Sequence, residues 1–361
     1  MKRLILLLIV TSFVAKSFAD SLDVSLDTKI GQMIMIGMKG TSVTTNSSIY
    51  RYVAQGKVGG VLLYEYNVHK TQAKSKMQAL TKRLQEGAKI PLLISIDQEG
   101  GKVNRLKTKY GFEPMPSAYS VGQKDDPNYT IKIANRIART LSQIGINVNY
   151  APVMDLHNPN CPVLGRIKRC FSSDPNKVAR LGETYIDAHR KENVLTVLKH
   201  FPGHGNSRTD SHKGIADVSR HWKPNELIPY KKLITQDKVD AIMTAHIINT
   251  QLEPSKLPAT LSKKIITDKL RNELGYDGVV ITDDMQMGAI AKYYGFKESI
   301  RKALLAGVDI LMFSNNIPGA NQYSAKNVHA TIKKMVLSGI VPMNRIDESY
   351  ERILKMKQGL Q

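Results

Sequence analysis

Residues 199–212 read Lys-His-Phe-Pro-Gly-His-Gly-Asn-Ser-Arg-Thr-Asp-Ser-His and hold the densest set of reactive side chains in the chain. A mostly apolar run, Val194 to Leu198, delivers a cation and an imidazole, Lys199 and His200. A loop punctuated by Gly and Pro then carries an acid–imidazole pair, Asp210 and His212. An Asp and a His two positions apart on a loop can hydrogen-bond. The carboxylate then orients the ring and raises its proton affinity, which suits a general acid near neutral pH. His200, His204 and His212 lack the Glu and the helical register of a His-Glu-x-x-His site, so no metal centre is expected, and no cofactor is implied.

Groups of this kind need rigid elements beneath them. Apolar runs suited to strands occur at Met33–Met38, Val58–Tyr64, Pro91–Asp97, Val148–Met154, Val194–Lys199, Ala241–His246, Gly278–Asp283 and Asp309–Ser314. Longer amphipathic stretches such as Ile131–Ile144 and Lys177–Lys191 lie between them. Eight strands alternating with helices predict an α/β fold, a single (β/α)8 TIM-type barrel. Polar groups end several of the runs: Asp97, Asp155, Lys199-His200, His246 and Asp283-Asp284. In a parallel barrel such ends converge on the C-terminal mouth, where the chemistry of this architecture sits. Asp284 is expected to cap the helix that follows it. His246 and His204 are expected to be structural.

The first residues have a different reading. Lys2 and Arg3 precede an apolar stretch, Leu4 to Ala15, shorter than the ~20 residues a bilayer span requires. Ser17-Phe18-Ala19 then offers small residues for a signal peptidase. Residues 1–19 are therefore expected to be a cleaved signal peptide and residues 20–361 the barrel domain, in a periplasmic or secreted protein with no stable membrane insertion after cleavage. The 52 Lys and Arg against 31 Asp and Glu give a formal charge of +21, and loss of Lys2, Arg3 and Lys16 lowers it to +18. Such a charge favours contact with anionic envelope polymers. Export and the absence of a DNA- or RNA-binding motif argue against a nucleic-acid partner. The two cysteines, Cys161 and Cys170, flank a basic segment, and an oxidising compartment predicts a disulfide between them.

The motifs, taken in order, resemble glycoside hydrolase family 3, in its β-N-acetylglucosaminidase branch. Lys29-Ile-Gly31-Gln32-Met33 resembles the family's opening segment, and Asp97-Gln-Glu-Gly-Gly-Lys-Val-Asn-Arg105 its sugar-binding strand end. Tyr150-Ala-Pro-Val-Met-Asp155, Lys199-His200-Phe-Pro-Gly-His-Gly, Met243-Thr-Ala-His246 and Pro258-Ala-Thr-Leu-Ser262 match further blocks. Asp210-Ser-His212 sits where this branch keeps an acid/base dyad. Gly278-Val-Val-Ile-Thr-Asp283-Asp-Met resembles the nucleophile signature. Two departures stand out. Gly165-Arg-Ile-Lys-Arg169-Cys-Phe171 replaces a shorter Gly-Asp-Arg segment. Arg169 is the best match to the sugar-binding arginine, with Arg166 and Lys168 as alternatives. Asn206 stands where aspartate is common.

The resemblance implies an exported exo-β-N-acetylglucosaminidase acting with retention on peptidoglycan fragments or chitooligosaccharides. Asp283 would be the nucleophile, His212 the acid/base and Asp210 its orienting partner. Asp97, Arg105, Arg169, Lys199 and His200 would hold the sugar. An imidazole in place of the usual acid carboxylate removes a negative charge near the acceptor, so an N-acetylglucosaminide phosphorylase is an alternative. A family 3 β-glucosidase and a non-catalytic sugar-binding protein are the others.

Overall fold

The computed structural model describes residues 24–210 and 214–360. The expected signal segment and His212 lie outside the described residues. Eight parallel strands form the barrel: β1 (Ile34–Gly37), β2 (Gly60–Leu63), β3 (Leu93–Ile96), β4 (Val148–Asn149), β5 (Leu195–Phe201), β6 (Ala241–Thr244), β7 (Val279–Thr282) and β8 (Leu311–Phe313). Their order around the sheet is β7-β6-β5-β4-β3-β2-β1-β8, and a parallel bridge between Ile281 and Ile310 closes the ring. The expected (β/α)8 barrel is therefore the fold. Its strands read as apolar runs because helices cover one face and the packed interior covers the other. Val61, Leu62, Leu63, Ile94 and Val280 are all fully buried.

The helices begin where local chemistry lets them. Asp126 accepts from the amides of Asn128 and Tyr129, and Pro127 opens the helix Pro127–Gln143; Asp174 and Pro175 do the same for Pro175–Arg190. A side-chain acceptor satisfies the free N–H groups of the first turn, and Pro tolerates that position because it has none to lose. Both helices thus start earlier than apolar periodicity alone indicates.

One strand is shorter than expected. The strand ends at Asn149, although the Ala151 and Pro152 carbonyls still accept from the Val197 and Lys199 amides and Val153 bridges Lys199. Pro152 lacks the N–H that a continuous ladder would use. Conversely, β5 runs on to Phe201, so Lys199 and His200 lie within the strand and inherit its rigidity.

The two ends of the barrel differ. A last helix, Met343–Gln358, crosses the end at which the strands begin. There Ser349 and Arg345 bond Asp309, and Lys357 Nζ reaches Gln32 Oε1 at 2.6 Å and the Gly59 carbonyl at 3.1 Å. The strand ends that carry the reactive groups lie at the opposite mouth. No helix among the described residues is long and apolar enough to cross a membrane.

The expected Cys161–Cys170 bridge is not made. Both are free, buried thiols in a small apolar cluster with Val153 and Leu164. Cys161 Sγ points to the His204 carbonyl at 3.7 Å, and burial pushes both thiols up from their ordinary pKa. Sequence proximity and compartment argued for the bond; here the two sulfurs share one buried apolar cluster as thiols.

Candidate active site

At the C-terminal mouth a cavity of about 520 Å³ is lined by Asp97, Arg105, Arg169, Lys199, His200, Asp210 and Asp283. Every described residue predicted from sequence as catalytic or sugar-binding faces this one space. Tyr64, Tyr150, Met243, Met287 and Met312 add its apolar surface, and Pro162, Val163 and Ile167 form one wall.

The charged groups are held by one another. Asp97 follows β3 and accepts from Lys199 Nζ at 2.8 Å and from Arg105 Nη2 at 3.3 Å. Burial alone would raise its pKa, but the Lys199 and Arg105 charges outweigh that and hold the carboxyl below its ordinary value. It is therefore an ionised acceptor at neutral pH. Two residues on, Glu99 lies in a short antiparallel ribbon of Gln98–Gly100 with Val103–Asn104, the turn that also aims Arg105. Glu99 receives Lys199 at 2.6 Å and Arg169 through two parallel bonds, Nε to Oε2 at 2.9 Å and Nη2 to Oε1 at 2.8 Å. Burial raises the Glu99 pKa, and Arg169 and Lys199 together bring it below its usual value.

Arg169 is therefore the cation of the 165–169 segment that enters the site. Arg166 and Lys168 are exposed, and Lys168 adopts a left-handed backbone (φ 63°) that turns the chain toward Arg169.

Asp155, buried after β4, organises the other side. It accepts from His200 Nδ1 at 2.6 Å, from the His200 amide at 3.2 Å and from the His204 amide at 2.7 Å. Nδ1–H is thereby committed, and the Arg169 N–H 3.5 Å from Nε2 can only donate, so His200 presents an acceptor on that side. His204 is fully enclosed, and burial, with the neighbouring His200, lowers its pKa to about 4. It does not line the cavity.

Asp283 leaves β7 with its amide bonded to the Thr244 carbonyl at 3.2 Å, and its Oδ1 accepts the Asp284 amide at 2.8 Å. Asp284 does not cap the next helix, which begins at Gly288 behind Met287. Its Oδ1 instead receives the amides of Gln286 and Ser314, and its Oδ2 receives the Ser314 hydroxyl, tying the ends of β7 and β8 together. Burial pushes Asp284 up to about 6. His246 is buried between Thr260 and the Asp284 carbonyl and does not line the cavity.

The loop beyond β5 ends at Asp210 among the described residues and is caught again by a parallel bridge of Ala216–Asp217 with Ile247–Ile248. Sequence reasoning missed Glu99 and the grip of Asp155 on His200. The acid two places after Asp97 and the polar end of the Val148 run were the only signs of them.

A family model described as the glycosyl hydrolase family 3 N-terminal domain matches residues 25–356. The chain belongs to glycosyl hydrolase family 3. This family 3 barrel is 31% identical to "Beta-hexosaminidase A" of Pseudoalteromonas piscicida, over 97% of the chain and 64% of that protein. It is 30% identical to an "Uncharacterized secreted glycosyl hydrolase" of Arthroderma benhamiae, over 95% of the chain and 96% of that protein. Among solved structures, a family 3 β-N-acetylglucosaminidase from Paenibacillus sp. str. FPU-7 superposes with a TM-score of 0.85 at 36% identity, covering 93% of the chain and 63% of that protein. The barrel thus spans somewhat under two thirds of the Pseudoalteromonas and Paenibacillus proteins.

Proposed function

We propose that this family 3 barrel is a retaining exo-β-N-acetylglucosaminidase that removes terminal β-linked N-acetylglucosamine from peptidoglycan fragments or chitooligosaccharides. One observation carries the reading: Asp283 and Asp210 line the same cavity as a fixed set of sugar-sized donors and acceptors. Relatives named for hexosaminidase and N-acetylglucosaminidase activity support the amino sugar as substrate.

The residues divide the work. Asp97 accepts from sugar hydroxyls, while Lys199, Arg105 and Arg169 donate to them. Asp283 attacks the anomeric carbon as the glycosidic bond breaks, giving a glycosyl-enzyme. His212 protonates the departing oxygen, and Asp210 orients the ring and stabilises the imidazolium. His212 then takes a proton from water, whose oxygen attacks the same carbon and releases Asp283. Two displacements retain the configuration, and the two groups must stand ~5 Å apart. The floor of packed barrel side chains, Tyr150, Met243 and Met312 among them, favours end-on entry.

Residues 1–19 act as a cleaved export signal, leaving Asp20 as the mature start in the periplasm or outside the cell. The relative named as secreted and the basic sequence support an envelope setting, with contact to its anionic polymers. The test is covalent trapping. A slow 5-fluoro-N-acetylglucosaminyl fluoride should leave its label on Asp283, and an aryl N-acetylglucosaminide should turn over far faster than the aryl glucoside. A label on Asp284, or a preference for glucoside, overturns the assignment.

A further inference from the structure

A buried carboxyl outside the reaction just described ties the mouth together. Glu226 lies on the 3-10 turn Pro224–Leu227 and is 1% exposed. Its Oε1 accepts from Asn206 Nδ2 at 2.6 Å, and Asn206 Oδ1 accepts from Asn158 Nδ2 at 2.8 Å. Three segments are joined in this line. Asn158 opens the loop that carries Pro162, Val163, Ile167 and Arg169; Asn206 belongs to the loop that carries Asp210; Glu226 stands behind both. The same root is held by contact as well. At Gly203 (φ 116°) a Cβ would fall 2.5 Å from Glu226 Oε2, and Trp222 Nε1 donates to the Pro202 carbonyl at 3.0 Å.

We propose that Glu226 is a positioning residue: through Asn206 it fixes the loop bearing Asp210 against the wall bearing Arg169. The inference rests on the proposed role of Asp210.

The surroundings say in which form Glu226 does this. Asp155 faces it from the end of β4, Tyr230 from the following helix and Cys170 from the neighbouring loop; no cation is among the groups that act most strongly on it. Its Oε2 has no hydrogen-bond partner among the described residues. An ionised carboxylate so placed is costly, whereas the acid is tolerated. Burial and then the Asp155 charge push it up to about 8, with Asn206 and the backbone amides of Leu156 and Gly205 pulling the other way. Asn206 suits this partner because its amide donates. An aspartate there would set two carboxyls face to face, and one would have to carry a proton.

The experiment uses the full chain and four variants: Glu226→Ala, Glu226→Gln, Asn206→Asp and the double variant Asn206→Asp/Glu226→Gln. Hydrogen exchange of segment 203–210 reads the pin, and kcat and KM on an aryl N-acetylglucosaminide with a poor leaving group read its consequence. Glu226→Ala and Asn206→Asp should speed exchange in 203–210 and lower kcat ~10- to 100-fold with KM little changed, the range expected for sub-ångström to ångström misplacement of an acid/base group. Glu226→Gln, whose amide oxygen still accepts from Asn206, should keep kcat near neutrality and hold it above pH 8, where the parent protein declines. The double variant should recover most of what Asn206→Asp loses, because the amide introduced by Glu226→Gln donates to the new carboxylate. The proposal is overturned if exchange in 203–210 is unchanged in both Glu226→Ala and Asn206→Asp, or if the double variant is no better than Asn206→Asp. Should Glu226→Ala fail to fold, the Asn206→Asp and double-variant pair decides alone. Failure of the glycosidase reading shows differently, as a parent protein inert on the substrate while the exchange contrast persists.

Discussion

Arg169 grips Glu99 through two parallel hydrogen bonds, with the guanidinium side chain 11% and the carboxylate side chain 3% exposed. Lys199 closes on the same carboxylate, so one acid is held between two cations beneath the cavity. The planar fork of Arg169 is thereby fixed before any ligand arrives, and its orientation costs no entropy at binding.

Glu99→Ala should consequently hurt both folding and binding. Leaving a buried partner unpaired costs ~3–5 kcal/mol, so calorimetry should show a clearly lower melting temperature. KM for an aryl N-acetylglucosaminide should rise ~10-fold as Arg169 loses its anchor and Lys199 keeps only Asp97. A folded Glu99→Ala protein with unchanged KM would remove Glu99 from the binding site.

His212→Ala should divide substrates by leaving group. A poor leaving group needs its proton, so kcat/KM there should fall by ~10²–10⁴, while an acidic phenol should leave with little loss in the first step. Azide should restore turnover by attacking the glycosyl-enzyme in place of activated water. Asp210→Ala should give a weaker form of the same pattern, since the ring stays but loses its orientation. Equal loss on both substrates without azide rescue would move the acid/base role elsewhere on the mouth.

The thiols offer a direct chemical check. Cys161 and Cys170 are buried and their pKa values are raised, so a native sample should resist alkylation at neutral pH. Both should then react after denaturation without reductant, adding two alkyl groups by intact mass. A denatured protein that takes up none until reduced would restore the disulfide.

Lys357 makes stability depend on pH at the closed end of the barrel. Burial lowers its pKa to about 7, well below the ordinary lysine value. Between pH 7 and the unfolded value the unfolded chain binds one more proton than the folded one. Stability from this group therefore rises with pH across that window, by at most ~1.4 kcal/mol per unit, and is flat below it. Comparison of melting curves from pH 7 to 10 should show a steeper rise for the parent protein than for Lys357→Met. Parallel curves would mean that Lys357 stays charged in the fold.

The barrel was legible because its strands are sheltered on both faces, so that runs such as Val58–Tyr64 carry no polar interruption until their ends. The polar ends in turn announced the mouth. Pairing was not legible. Glu99 and Arg169 are 70 positions apart and Asp97 and Lys199 are 102 apart, distances over which no local pattern links an acid to its cation. The choice among Arg166, Lys168 and Arg169 turned on a backbone torsion at Lys168 that composition does not reveal. The state of the cysteines was not legible for a related reason. Nine positions and an oxidising compartment describe opportunity, whereas the burial of both thiols with Val153 and Leu164 is a tertiary fact that no local pattern carries.

The last helix has a consequence for how the molecule comes into being. Lys357 meets Gln32 across 325 positions, and Asp347 meets Lys29 across 318. The base of the barrel thus stays unsealed until Lys357 itself has left the ribosome. Contacts of such span form late because the loop entropy must be overcome first. A chain cut short of this helix would therefore lack the residues that close the base, and loss of Lys357 and Asp347 together would leave Gln32, Gly59 and Lys29 without their partners there.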